Sequence, residues 1–143
     1  MWFDIGVNLN STQFAGEHDA VVTRARQQGV EQQLLIASDL NESVEVIALA
    51  EQFNLYASAG VHPHQASTWS NQSTAQLKQL LVSSSVVAIG ECGLDYNRNF
   101  SPPEAQRNAF KAQLALAAEV QKTVYLHCRD AHDDFIRILD SVR

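Results

Sequence analysis

Two strings concentrate the side chains of this chain that could do chemistry: Gly90-Glu91-Cys92-Gly93-Leu94-Asp95 and His127-Cys128-Arg129-Asp130. Each closes an apolar run that reads as a buried β-strand, so each sets a metal-ligand type at the C-terminal end of its strand. Parallel α/β sheets keep their chemistry there. Alternate side chains of a strand share a face, so Glu91 is expected to point with Ile89 and Val87, and His127 with Tyr125 and Arg129. A carboxylate and an imidazole on one face of neighbouring strands make half of a metal site. Two carboxylate oxygens and a neutral ring nitrogen form a mixed set that suits Mg²⁺, Mn²⁺ or Zn²⁺. The plainer alternatives are a Glu91 that caps the next helix or pairs with Arg129, and a His127 that is a hydrogen-bonded core histidine.

Further polar residues gather around these strings. His62 and His64 flank Pro63 and face one way if the strand continues through them, where they could ligate a metal together or donate to a phosphate; a polar loop cap is the alternative. Arg129 lies on the His127 face and Arg98 in the loop after Asp95, and guanidinium forks match phosphate oxygens. A solvated loop arginine accounts equally well for Arg98. Asp95 could orient a ligand or a helix start as readily as touch a substrate. Asp4 sits within the first strand on the face of Gly6 and Asn8, where a hydrogen-bonded carboxylate is expected; Asp4 and Asn8 are candidate metal contacts. Trp69, in a Ser/Thr-rich loop, could stack a nucleobase or cover its own core.

The elements that must position these groups alternate regularly. Apolar strand-like runs fall at about 2–9, 32–38, 55–62, 86–92 and 123–129, and segments of helical spacing near 17–28, 41–53, 73–83, 103–121 and 132–142. Ser101, ahead of Pro102, Pro103 and Glu104, predicts a hydroxyl cap and a capping box for the fourth helix. Phe110, Leu114, Ala117 and Val120 give that helix its buried face. Asn71-Gln72-Ser73 is expected to cap the third helix, whose stripe is Leu77, Leu80 and Leu81. No linker or low-complexity tract divides the chain, which reads as a single domain over 1–143.

Composition narrows the function classes. With 143 residues, 45% hydrophobic and 18% charged, the chain is an ordinary globular sequence able to build a real core. Ten Lys+Arg against 16 Asp+Glu leave a formal charge of −6, which argues against capture of nucleic acid by a broad basic stripe. Any anionic substrate then needs metal ions or local arginines. No stretch approaches the ~20 apolar residues of a membrane span, and the first residues have no basic leader, so a cytoplasmic protein is expected. Cys92 and Cys128 each follow a candidate ligand and should face the covering helices as small buried hydrophobes, unpaired in a reducing compartment. Five βα units imply a parallel sheet. A doubly wound sheet suits the length but lacks the Gly-rich phosphate loop after its first strand; a (β/α)8 barrel suits the polar strand ends but needs ~250 residues.

Four segments decide between these readings. Phe3-Asp4-Ile5-Gly6-Val7-Asn8-Leu9, Gly60-Val61-His62-Pro63-His64, Ala88-Ile89-Gly90-Glu91-Cys92-Gly93-Leu94-Asp95 and His127-Cys128-Arg129-Asp130-Ala131 resemble, in order and spacing, successive signatures of the TatD family of metal-dependent deoxyribonucleases. The resemblance implies a TIM-barrel-like α/β fold, here cut short after about five βα units. It also implies a divalent-metal centre, Mg²⁺ first and Mn²⁺ or Zn²⁺ as alternatives, and 3′→5′ exonuclease action on single-stranded DNA ends. Metals held by Glu91 and His127 would polarise a phosphoryl oxygen and acidify water, with His62, His64 and Arg129 toward the phosphate. Two departures stand out. Gly6 and Asn8 occupy positions where many members carry His-x-His, and the family's later histidine and aspartate ligands have no counterpart before Arg143. The competing reading is therefore a catalytically silent partial barrel that acts only by binding or self-association. Its open edges would favour pairing with another chain.

Overall fold

A computed structural model describes residues 1–142. Five strands, β1 (Trp2–Val7), β2 (Val30–Leu35), β3 (Tyr56–Ala59), β4 (Val86–Asp95) and β5 (Thr123–Arg129), alternate with five helices: α1 (His18–Gln27), α2 (Leu40–Phe53), α3 (Ser73–Leu80), α4 (Pro103–Val120) and α5 (His132–Asp140). All strands pair in parallel, in the order β1-β2-β3-β4-β5. A sheet that always adds its next strand on the same side is a barrel progression, because a doubly wound sheet reverses direction partway. The sheet is also curled. A Cβ placed on Gly6 in β1 would lie 3.2 Å from the Tyr125 hydroxyl in β5, whereas five flat strands would separate these by nearly 20 Å. The chain is thus half of a TIM-like barrel.

Helices cover the outer face of the arc. Leu9, Val22, Leu35, Val46, Leu77, Ile89 and Leu116 form one buried cluster, against which Leu80, Leu81 and Trp69 pack. Trp69 therefore covers its own core. Cys92, Leu94, Phe110, Leu114, Phe135 and Ile138 form a second cluster, in which the rings of Phe110 and Phe135 stack at 5.2 Å. Of the α4 face expected from periodicity, Phe110, Leu114 and Ala117 are buried and Val120 is half-buried against the first cluster; the burial of Phe110 alone contributes ~2–3 kcal/mol.

Three local expectations need correction. Ser101 is not the α4 cap; Pro102 holds that position without a side-chain bond. Fully enclosed, the Ser101 hydroxyl instead accepts from the Ser67 amide and donates to the His64 carbonyl, each at 3.0 Å. Gln72 precedes α3, also without a side-chain cap, because the Ser73 hydroxyl accepts from the Ser70 amide within the preceding turn. Cys92 is buried, which pushes its thiol up to about 12, but Cys128 is exposed. It sits on β5, the edge strand of the sheet among the described residues, where it lacks the cover expected for it.

Register explains how Glu91 reaches the inner face. Ile89 pairs with Val124 and Cys92 with Leu126, so Gly90 and Glu91 together oppose the single residue Tyr125. Ile89 is fully buried in the helix-side core, not on the face of Glu91 as strict alternation predicts. A two-for-one bulge resets the alternation, and re-aiming a side chain is what such bulges do. From there onward the strand runs tight against β5.

Two buried glutamines of α4, seven residues apart, fasten the strand ends to the helix. Gln106 accepts from the Asp95 amide at 2.8 Å and donates to the Asp95 and Ser101 carbonyls. Gln113 accepts from the Val61 amide at 2.8 Å and donates to the Val61 and Ala109 carbonyls. Each amide thus does for a loop what a neighbouring strand would do for a ladder.

Gly93 gives a sharp check on this packing. Its φ is +152°, and an added Cβ would fall 1.8 Å from the His127 carbonyl oxygen, a backbone atom that cannot turn aside. Gly93→Ala is expected to cost about 2–4 kcal/mol. Gly16→Ala, at φ +76° with open space around it, should cost only ~1–2 kcal/mol. Urea unfolding of the two variants side by side checks the difference.

Candidate metal centre

The ends of β4 and β5 and the turn after β3 converge. β3 stops at Ala59, so His62 and His64 do not share a strand face as expected; they open a 3-10 turn, Pro63–Thr68. In that turn the His62 Nδ1 accepts the His64 backbone N–H at 3.0 Å, which folds the two rings to a centroid separation of 4.3 Å. Pro63 at the first position presets the backbone for this turn. His127 lies 4.6 Å from His62, ring to ring.

Two carboxylates organise the three rings. Glu91 Oε1 lies 3.0 Å from His127 Nδ1 and 3.8 Å from His62 Nε2. Asp95 Oδ2 lies 3.1 Å from His127 Nε2 and 3.0 Å from His64 Nε2. The other Asp95 oxygen accepts the Asn97 and Arg98 amides, each at 3.1 Å. Asp95 is only 1% exposed, and its two oxygens orient the rings and close the turn. Neither plainer reading of Glu91 holds, since it caps no helix and its partner is His127, not Arg129.

Electrostatics follow from these contacts. Burial alone would raise both carboxyls; at Glu91 the hydrogen bond from His127 and the surrounding imidazoles outweigh it, and its pKa is lowered. At Asp95 the backbone N–H of Arg98 and the His64 and His127 rings do the same. His127, bonded to Glu91 and also to Asp95, is raised. His62 is lowered to about 4, chiefly by burial. Neutral His62, with Nδ1 assigned as acceptor from its backbone bond, carries its proton on Nε2 and faces Glu91 as a donor.

The donor set fits a divalent ion. One atom each from Glu91, His127 and His62 lie within 4.8 Å of one another. Bonds of ~2.1 Å at right angles separate two ligand atoms by about 3.0 Å, the spacing found between Glu91 and His127. His127 Nε2 is turned to Asp95, a carboxylate–histidine arrangement that fixes ring orientation at metal sites. His62 meets the distance test, but its tautomer makes it a donor to an anion. Glu91 and His127 are thus suited to hold the ion, with His62 within the same reach.

Other residues singled out in the sequence divide. Asn8 joins His62, His64, Glu91 and Ser38 in lining a cavity of about 190 Å³. Asp4 stays outside: it is exposed, and its Oδ1 accepts the Gly6 amide at 3.2 Å, in a stretch where register shifts break the alternation. Arg129 ends β5 opposite Asp95 and is exposed; among the described residues it forms no ion pair. Arg98 is exposed, its guanidinium 5.8 Å from the centre of the Phe100 ring. A larger hollow of about 390 Å³ beside α5 is a separate feature, lined by Tyr96, Asp134 and Arg137, which bond to one another. Motif reading missed Gln106, Gln113 and Phe100. A polar residue recurring within an apolar stripe was the available signal for the glutamines.

Comparison with known proteins identifies the family. The family model TatD related DNase matches residues 3–143. The chain is 56% identical over 139 residues to the 3′-5′ ssDNA/RNA exonuclease TatD of Erwinia tasmaniensis, and 57% identical to that of Erwinia amylovora. Both alignments cover 96% of this chain and 54% of the relative, so the chain spans about half the length of the curated relatives it matches. Among solved structures, a TatD homologue from Escherichia coli superposes with a TM-score of 0.90 at 33% identity, covering 99% of this chain and 56% of that one. A TatD family hydrolase from Entamoeba histolytica gives 0.88 at 26% identity, covering 99% and 54%. The family match runs through nearly the whole sequence and the fold superposes on solved members, so this chain belongs to the TatD-related DNase family.

Proposed function

We propose that the chain serves metal-dependent phosphodiester hydrolysis, as part of a 3′→5′ exonuclease acting on single-stranded DNA ends in the cytoplasm. The observation that carries this reading is the Glu91–His127 pair at adjacent strand ends, 3.0 Å apart, with the His62 donor 3.8 Å from the same carboxylate oxygen. Glu91 and His127 would hold the ion. Mg²⁺ is the first choice because it settles for few protein ligands and completes its shell with water and substrate phosphate; Mn²⁺ and Zn²⁺ also suit the set. When bound, such an ion supplies positive charge beside a phosphoryl oxygen and acidifies water.

The chain's own residues do the rest. His62 presents Nε2–H to the cavity as a donor to phosphate oxygens, and His64, its Nε2 held by Asp95, lines the same cavity on the phosphate side. Arg129, exposed at the end of β5 and without an ion pair among the described residues, adds a guanidinium toward the phosphate. Asp95 keeps His127 and His64 in orientation. The net charge of −6 makes these local donors the means by which an acidic protein tolerates a polyanion. No helix among the described residues is long and apolar enough to cross a membrane.

The arc's margins carry a second expectation. Trp2, Phe3 and Ile5 of β1 and Leu126 of β5 are 72%, 49%, 56% and 39% exposed. Among the described residues both edge strands, β1 and β5, lack a neighbouring strand on one side, and apolar edges pair readily. The 15.8 kDa chain should self-associate. Sedimentation velocity is expected to show heavier species whose share grows with concentration; a lone monomer throughout would remove this expectation.

Two measurements test the centre itself. Cleavage of single-stranded DNA with Mg²⁺ or Mn²⁺ should fall by about 100-fold or more in Glu91→Gln, on the scale of losses at metal sites; equal cleavage by both proteins removes Glu91 from the reaction. The second is pH. The folded pKa of His127 is raised above its unfolded value of ~6.5. The stability it lends the metal-free protein is complete below that value and lost as pH rises through the folded pKa. The ion competes for the same nitrogen, so its affinity runs the other way. Calorimetry with Mn²⁺ should show weak binding in acid that strengthens, by up to about tenfold per pH unit, until the raised pKa is passed.

A further inference from the structure

Phe100 has no evident part in the fold. Its ring is 66% exposed and belongs to neither buried cluster, whereas Trp69, in the neighbouring loop, packs on the core. The segment that carries it is firmly built. Asn97 and Arg98 donate their amides to Asp95 Oδ1, the Asn97 side chain donates to Asp130 at 3.0 Å, and Asn99, at φ +48°, donates its side-chain N–H to the Tyr96 carbonyl. Ser101 then ties the segment to the Ser67 amide and the His64 carbonyl. An apolar ring is thereby held in water by a network that also fixes the candidate centre. Among the described residues its ring partner is His64, at 4.9 Å and 76°, and the Arg98 guanidinium stands 5.8 Å from its centre.

We propose that Phe100, flanked by Arg98, is a stacking platform for one nucleobase of a single-stranded nucleic acid whose adjacent phosphate lies against His62 and His64. This rests on the nuclease reading above and names the part of the substrate that the metal centre leaves unbound. Every base has a π-face, so a pinned aromatic ring grips single strands without regard to sequence. A nearby guanidinium adds cation–π attraction and positive charge. The platform is one ring removed from Asp95 and His127, since His64 touches both Phe100 and Asp95. Paired bases present edges rather than faces, so the platform selects unpaired ends. DNA and RNA share the base chemistry, and the platform is indifferent to the sugar.

Binding measured without divalent ions, in a chelator, separates recognition from cleavage. A 5′-labelled single-stranded oligonucleotide is titrated with wild type, Phe100→Ala and Phe100→Trp, intact or with one abasic position scanned through its 3′-terminal nucleotides. Phe100→Ala should weaken binding of the intact strand by about 5- to 150-fold, the range of single-base stacking, with Phe100→Trp close to wild type and the melting temperature unchanged. At one abasic position wild type should lose the same factor and Phe100→Ala little more; DNA and RNA strands should show the same coupling. Equal affinity of wild type and Phe100→Ala, or equal losses on intact and abasic strands at every position, overturns the platform. Wild type that cleaves DNA while Phe100→Ala binds normally sinks the platform alone. Base-dependent binding without cleavage keeps the platform and sinks the nuclease reading.

Discussion

One buried carboxylate, Asp95, ties together three segments of chain that build the candidate centre. Through Oδ2 it holds the rings of His64 and His127, and through Oδ1 the amides of Asn97 and Arg98. Its own backbone is clasped by Gln106. A charge that is 1% exposed survives only if its oxygens are fully engaged. Its partners come from the turn after β3, the turn after β4 and the end of β5, so satisfying Asp95 requires those three pieces of chain to meet. The fold that satisfies the charge also assembles the rings.

Curvature supplies the remaining constraint. The sequential strand order and the approach of Tyr125 to Gly6 bend the sheet so that residues far apart along the chain share one inner face. Within that arc the bulge at Gly90 and Glu91 turns the glutamate inward while Ile89 and Cys92 remain in the helix-side cores. Packing and chemistry thus use successive residues of one strand for opposite purposes. Gly93, where β4 comes closest to β5, has room for no other residue.

The α4 helix links stability to placement. Phe110, Leu114 and Ala117 anchor it to the sheet, and Gln106 and Gln113 on the same stripe reach past the core to the backbone of Asp95 and Val61. Amides suit this task because each offers both a donor and an acceptor to an exposed strand end. The turn bearing Arg98 and Phe100 hangs from the same network, so a ring facing water is carried by bonds that also place the histidines.

Much of this was legible in the residues. Apolar runs and helical spacing located all five strands and five helices to within a few residues, because side-chain periodicity depends on local geometry alone. Residue type at strand ends marked Glu91 and His127 as partners, and the hydrogen bond between them bears out that they face each other. What the linear chain left open needed distant groups. Whether Ser101 caps a helix or ties two loops depends on Ser67 and His64 lying beside it. The face of Glu91 depends on a register with β5, thirty-odd residues onward, that strict alternation misstates. Asp95 was one option among several until two histidines arrived at one of its oxygens. By itself the sequence determined the elements and the chemical character of their ends; tertiary structure alone decided which donor meets which acceptor, because hydrogen bonds and electrostatic shifts are set by separations of a few ångströms that only folding fixes.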